Sequence, residues 1–232
     1  METVWSEYLA LWDKIWPRSK SYMHLVDMHA SEAGDRMVLD SGAGTGNLTL
    51  KLLENGASVV AYDTDSVALE ILRQKCSGYG DDRLTVYECD ANRLLDWNEY
   101  YDAVNSMLVV HAVEDPRTYL REQIRVLKPG GELAISGITP PESTGDRSHK
   151  EHHDRIWKVF YNEIKQDANY EALRPDVEKC YQAADGVVRD VKVFHGFTLK
   201  EMHIILGSLG VRQTKKMELL FDGAIYFISA IK

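Results

Sequence analysis

A chain of 232 residues with 44% hydrophobic content can bury a substantial core, and 36 acidic against 27 basic residues give a formal charge of −9. No lysine- and arginine-rich run is dense enough to follow a phosphate backbone, which excludes nucleic acid as an expected partner. No stretch reaches the ~20 apolar residues of a spanning helix or carries the basic and apolar regions of an export signal, so no membrane association is expected.

Three cysteines at wide spacing, Cys76, Cys89 and Cys180, make no metal-ligand pattern and predict free thiols in a reducing compartment, by default the cytoplasm. Residues 1 to about 30 predict helix, with Trp5, Tyr8, Trp12 and Ile15 on one face and an interruption at Pro17. From Arg36 short apolar runs alternate with helix-period segments. Strands are expected at 36–40, 58–63, 83–89, 103–110 and 132–136, with helices at 47–54, 66–76 and 115–127 between them. Such alternation implies a parallel sheet with helices on both faces and right-handed crossovers.

After Ser136 the rhythm stops for about sixty residues. This segment, 138–197, contains Pro140-Pro141, a helix with Ile156, Trp157, Phe160, Tyr161 and Ile164, and then a mixed polar stretch. It reads as an insertion within one domain, because strand and helix patterns return after it. Thr198-Leu199-Lys200-Glu201 has the form of a capping box, and Gly210 is placed to end the helix it opens. Strands at 214–221 and 224–231 close the sequence.

The stretch Val38-Leu39-Asp40-Ser41-Gly42-Ala43-Gly44-Thr45-Gly46-Asn47 sets three glycines at alternate positions after a strand. A glycine-rich turn from strand to helix removes Cβ atoms where a ligand touches the backbone, and it offers amides at the positive end of the helix. A polar or anionic ligand is therefore expected, against the alternative of an ordinary structural turn. A dinucleotide pyrophosphate fits less well, since its fingerprint wants a sixth-place glycine where this chain has Asn47.

Four further stretches follow in order: Val59-Val60-Ala61-Tyr62-Asp63, Glu88-Cys89-Asp90-Ala91, Tyr101-Asp102-Ala103-Val104 running on to Val110-His111-Ala112-Val113, and Arg125-Val126-Leu127-Lys128-Pro129-Gly130-Gly131-Glu132-Leu133. Together with the glycine loop they resemble the class I S-adenosylmethionine-dependent methyltransferases over roughly residues 36 to 137, closest to the small-molecule members that methylate quinone precursors and other metabolites. The resemblance implies a Rossmann-like, doubly wound, seven-stranded, mostly parallel sheet whose last strand is antiparallel. It also implies one methyltransferase domain over 1–232: an N-terminal helical lid (1–30), a cofactor-binding core (31–137), a substrate-side insertion after the fifth strand (138–197), and a C-terminal helix and strands (198–232).

Carried over by position, Gly42, Ala43, Gly44 and Gly46 would pass under the methionine and ribose of the cofactor, with Asp40 nearby. Asp63, followed by Thr64, would accept the ribose hydroxyls, since a carboxylate can take two hydrogen bonds from a cis-diol. Asp90 and Ala91 would hold the adenine, and Ser106 and Met107 would line the methionine side. Asp63 and Asp90 also read as caps of the turns that follow them. The Lys128-Pro129-Gly130-Gly131 turn reads as structural.

His111 follows the fourth strand and is the leading candidate for a base, with His195 second; both also read as hydrogen-bonded structural histidines. Trp12, Trp16, Trp157 and Tyr161 are candidates for the acceptor pocket, set against a purely packed aromatic stripe. His149, His152 and His153 invite a metal reading, but Lys150 and Arg155 interrupt them, so a solvated face and no metal are expected. The fourth strand lacks the Asp/Asn-Pro-Pro-Tyr/Phe motif of amine-directed nucleic-acid enzymes. The expectation is a methyl transfer from S-adenosylmethionine to a small-molecule acceptor through an oxygen, nitrogen or carbon nucleophile, by a monomer or homodimer. The alternatives are cofactor binding without methyl transfer or with another reaction, and an NAD-dependent oxidoreductase.

Overall fold

The protein is described by a computed structural model covering residues 4–31, 34–140, 149–190 and 195–232. Pro141 and Phe194 lie outside the described residues, as do the side chains of Trp5, His149, Lys150 and His152. Seven strands, β1 (Met37–Ser41), β2 (Ser58–Asp63), β3 (Leu84–Glu88), β4 (Tyr101–Met107), β5 (Leu127–Ile138), β6 (Gln213–Leu220) and β7 (Ile225–Ile231), form one sheet. Their order is β3-β2-β1-β4-β5-β7-β6, parallel except for β7, which runs antiparallel to both neighbours. The central strands read as near-continuous apolar runs because both of their faces are covered.

Helices α1 (Val4–Ile15), α2 (Lys20–Ala30), α3 (Asn47–Glu54), α4 (Ser66–Lys75), α6 (His149–Ile164) and α7 (Tyr170–Asp190) enclose one core, built on Leu25, Leu52, Leu69, Phe160 and Val177. Helices α5 (Pro116–Val126) and α8 (Leu199–Ser208) enclose the other, built on Tyr101, Leu120, Met202 and Tyr226. Local chemistry sets the starts of these helices. Asp65 accepts the Val67 and Ala68 amides, both at 2.9 Å, and Asp115 caps α5 with Pro116 in its first turn. The box at Thr198 and Glu201 closes in both directions, and Gly210 lies past the end of α8 at φ +97°.

Three elements differ from expectation. The strand expected at 103–110 begins at Tyr101 and ends at Met107, because the chain turns at Leu108, where φ is +59°. The strand expected at 132–136 runs from Leu127 to Ile138 and absorbs the Lys128–Gly131 turn as an irregularity, where its register against β4 shifts. The polar stretch after α6 is the 21-residue helix α7. Its buried face, Leu173, Val177, Cys180 and Ala184, keeps helical spacing, but Pro175 and the many charges around it obscure the period.

Helix α1 packs on α7, and α6 packs on α7, so the N-terminal helices and the insertion form one layer. An aromatic cluster holds it. Trp16 stacks on Trp12 at 3.9 Å and on Phe160 at 4.4 Å, and meets the edges of Trp157 at 5.6 Å and Tyr22 at 5.7 Å. The Glu163 carboxylate accepts the Ser19 hydroxyl at 2.6 Å and the hydroxyl of Ser21, and Arg18 reaches Asp167 at 3.0 Å. Burial pushes the Glu163 carboxyl up, but these donors outweigh it and hold it below the usual range.

This placement corrects two pocket candidates. Trp16 is 1% exposed and Trp157 5% exposed, so both are core side chains rather than an open wall. Tyr161 faces outward, hydrogen-bonded to Tyr170 at 3.0 Å with Lys165 over its ring, while Trp12 is half-buried between Tyr8, Trp16 and Tyr22. Among the described residues, no helix is long and apolar enough to cross a membrane.

Trp16→Ala is expected to lower the unfolding free energy by about 3–5 kcal/mol in urea titration, the cost of an unfilled aromatic core site. A loss below about 1 kcal/mol would return this indole to the pocket wall.

Candidate functional site

The carboxyl ends of β1, β2, β3 and β4 meet at one edge of the sheet, where Asp40 pairs in register with Ala61 and Asn105, and Asp63 with Glu88. The glycine loop between β1 and α3 lies across this edge, and its three glycines serve two purposes. All take positive φ, at +79°, +52° and +81° for Gly42, Gly44 and Gly46. A Cβ on Gly42 would stand 2.3 Å from Val109 Cγ2, and one on Gly46 would stand 2.6 Å from Leu72 Cγ, so packing within the protein excludes both. A Cβ on Gly44 would meet nothing within 4 Å. Only Gly44 opens onto free space.

Four of the loop's amides are spent internally, which leaves the start of α3 as the place for the amides expected to face a ligand. Gly42 and Ala43 both donate to the Tyr62 carbonyl, at 2.8 and 2.9 Å, and Gly46 donates to the Ala43 carbonyl at 3.0 Å. Gly44 donates to Asp63 Oδ2 at 2.8 Å, while Asp63 Oδ1 accepts the Asp65 amide at 2.9 Å. Each Asp63 oxygen thus holds one amide and keeps a second lone pair. Burial raises the Asp63 carboxyl, with these amides opposing it. The helix cap here is Asp65, not Asp63. Thr64 is exposed between them.

Asp40 is 1% exposed and accepts the Thr49 hydroxyl at 2.6 Å. Among the described residues no lysine or arginine pairs with it. Burial pushes its carboxyl up to about 7, against the pull of Thr49 and with the charge of Asp63 adding to the rise. Beneath it the Tyr119 hydroxyl is hydrogen-bonded to Ser41 Oγ and Ser106 Oγ, both at 2.9 Å, and burial pushes this phenol up to about 12. Ser106 is therefore turned into the core toward Tyr119 and does not line an open surface. Met107 is half-buried and packs against the core that α1, α2 and α3 cover.

Asp90 is exposed, and its carboxylate accepts the Asn92 amide and side chain, both at 2.8 Å, so the turn-capping reading holds for one of its oxygens. Ala91 is buried, with its carbonyl accepting from Gln123 at 3.0 Å. Past β4 the two candidate histidines come together: the His195 amide donates to the His111 carbonyl at 2.9 Å. The His195 ring donates from Nε2 to the Glu114 carbonyl at 3.3 Å. His153 is buried against Tyr181 and Trp157, at 5.0 and 5.8 Å between ring centroids, which corrects the solvated face expected for it.

Sequence reasoning missed the network around Asn47, noted there only for not being glycine. Asn47 donates to the Tyr22 hydroxyl at 3.1 Å and accepts from Lys75 at 2.5 Å, and Lys75 also holds Asp13. One amide side chain thereby joins α1, α2 and α4 to the start of α3. Tyr119 was also missed, because an apolar helix position carries no mark of the hydroxyl's target.

Comparison with known proteins agrees with this architecture. Residues 39–135 match the family model described as a methyltransferase domain. A demethylmenaquinone methyltransferase of Clavibacter sepedonicus is 39% identical over 112 residues, covering 48% of this chain and 44% of that protein. A ubiquinone/menaquinone biosynthesis C-methyltransferase of Desulfotalea psychrophila is 30% identical over 126 residues, covering 53% and 50%. The chain thus spans about half the length of these curated relatives. Among solved structures, the 1,6-didemethyltoxoflavin-N1-methyltransferase of Burkholderia thailandensis, with 1,6-didemethyltoxoflavin and S-adenosylhomocysteine bound, has a TM-score of 0.62 at 18% identity, covering 94% of this chain and 80% of that one. The [4+2]-cyclase SpnF has a TM-score of 0.56 at 18% identity, covering 90% and 79%. Residues 39–135, which carry the glycine loop and most of the parallel strands, are thus similar to a methyltransferase domain.

The raised Asp40 carboxyl gives the pH dependence a definite sign. The native state binds this proton more tightly than the unfolded chain, so Asp40 costs stability as pH rises from about 4 to about 7 and leaves a penalty above that. Asp40→Asn keeps an acceptor for Thr49. It is expected to match the wild type near pH 4 and to exceed it by a few kcal/mol at pH 8, in unfolding curves of the ligand-free protein. A wild type equal to or more stable than the variant at pH 8 would overturn the assignment.

Proposed function

We propose that the chain transfers a methyl group from S-adenosylmethionine to a small-molecule acceptor at the carboxyl edge of β1, β2, β3 and β4. One observation carries the reading: carboxylates stand at this edge where four of the loop's amides are already taken. Asp63 ends β2, Asp90 follows β3, Asp40 lies buried in β1, and the amides at 42, 43, 44 and 46 are bonded within the protein. A pyrophosphate needs the opposite pattern, which counts against a nicotinamide dinucleotide. A cation with a ribose diol matches the acids.

The chain's residues fit that group. Gly44 leaves room above the loop, and each Asp63 oxygen can take one ribose hydroxyl without giving up its amide. The second oxygen of Asp90 suits an exocyclic amine. Asp40 is a buried acid awaiting a positive charge. When bound, the sulfonium supplies an electrophilic methyl group with a neutral thioether as leaving group. The protein's part is to align the acceptor and exclude water, with no covalent intermediate on its own side chains. His111, tied through its backbone to His195, is the residue proposed to take the acceptor's proton.

The relatives named for quinone methylation match this chain over about half its length, in a stretch that includes the cofactor core, so their acceptors are carried over only as far as a small molecule. Free Cys76, Cys89 and Cys180 favour a reducing, cytoplasmic setting. A second reading, use of the fold without methyl transfer, draws on the cyclase neighbour.

Calorimetric titration with S-adenosylmethionine, S-adenosylhomocysteine, NAD and NADP tests the assignment, with micromolar binding expected for the first two alone. Binding of NAD alone would sink it. In the same assay Asp63→Ala should weaken S-adenosylhomocysteine by about 1–3 kcal/mol while the melting curve stays cooperative, and an unchanged affinity would remove Asp63 from the ribose.

A further inference from the structure

His29 lies on α2, outside every motif of the core, yet its imidazole is 4% exposed and both ring nitrogens are engaged. Nδ1 stands 3.0 Å from Asn105 Oδ1 on β4, and Nε2 stands 2.9 Å from Ser136 Oγ on β5. The Phe227 ring of β7 meets the imidazole edge-on at 5.0 Å. The same Ser136 oxygen accepts the Leu108 amide at 3.2 Å, and that amide also reaches the Ser136 carbonyl at 3.2 Å.

One proton arrangement satisfies every partner. Asn105 Oδ1 can only accept, so Nδ1 carries the hydrogen. Ser136 Oγ accepts from Leu108, so its own hydrogen is free to be given to Nε2. The ring is then neutral, in keeping with burial, which lowers its pKa to about 4 against the smaller opposing effect of Asn105. A directed line runs from the Leu108 amide through the Ser136 hydroxyl and His29 to Asn105.

Its upper end holds a strained residue. Leu108 takes φ +59°, a left-handed conformation that is unfavourable for a non-glycine residue and persists where its surroundings impose it. The turn begun there presses Val109 into the space left by the missing Gly42 side chain. It then closes with the Ala112 amide on the Val109 carbonyl at 2.9 Å, which carries His111 to the site edge.

We propose that His29 is a positioning residue: by bridging Asn105 and Ser136 from α2, it holds the Leu108–Ala112 turn and thereby sets where His111 stands. The inference rests on the carboxyl edge being the methyl-transfer site, but its test needs no ligand. A buried histidine with a purely structural role would support β4, β5 and β7 evenly, whereas a positioning role singles out the turn that Ser136 holds through Leu108.

Hydrogen exchange of the free protein and the Cε1–Hε1 NMR signal of His111 read this directly. Ser136→Ala and His29→Phe are expected to speed exchange at 108–112 by about tenfold and to move the His111 signal, while β2 and β3, which touch neither residue, keep wild-type protection. His29→Gln, which retains one donor and one acceptor, should restore most of the protection. If His29→Phe does not fold, Asn105→Ala decides, since it removes the β4 partner of His29 and leaves the bond from the Leu108 amide to Ser136 in place. Unchanged exchange at 108–112 in the His29 or Asn105 variant, or faster exchange spread equally over the sheet, overturns the proposal. Failure of the wild type to bind S-adenosylhomocysteine would sink the methyl-transfer reading and leave this result standing.

Discussion

The hydrogen bond from the Gly44 amide to the Asp63 carboxylate ties the glycine loop to the end of β2, and the site depends on it. With the Gly42 and Ala43 amides held by the Tyr62 carbonyl, it bends the chain back across the sheet edge before α3 begins. A loop that uses four of its amides in this way has fewer left for a phosphate, and it keeps Asp40 dry beneath it. The electrostatic character of the site follows from where the backbone hydrogen bonds go.

The second layer is joined to this loop at defined points. Asn47, at the start of α3, connects Tyr22 of α2 and Lys75 of α4, while Lys75 continues to Asp13 of α1. The aromatic stack of Trp12, Trp16 and Phe160 extends the connection to α6. The N-terminal helices and the insertion, far apart in sequence, therefore form one wall that is joined to the glycine loop at Asn47.

Much of this was legible in the sequence. The helix at 47–54 and the strand at 58–63 keep their expected bounds, because the glycine loop and Asp63 end them with unambiguous turn chemistry. The capping box at Thr198 closes as written for the same local reason. Helix α7 was not legible, since Pro175 and a charged surface hide a buried face of only four positions. Among the site residues, Asp40, Gly44 and Asp63 come together as their spacing implies. Trp16 shows the limit: an aromatic stripe has the same period whether it faces a ligand or a core, and only the position of α6 decides.

The glycines make the same point more sharply. Three identical residues at alternate positions suggest one shared cause, close approach of a ligand, yet Gly42 answers to Val109, Gly46 to Leu72, and Gly44 alone to open space. The two partners lie about 67 and 26 residues downstream, on a turn and a helix whose distance from the loop exists only in the fold. A glycine motif thus records a sum of constraints of which ligand contact is one. The motif can name the fold while two of its three glycines are already required by packing, because Val109 and Leu72 place as strict a demand on the backbone as a bound molecule would.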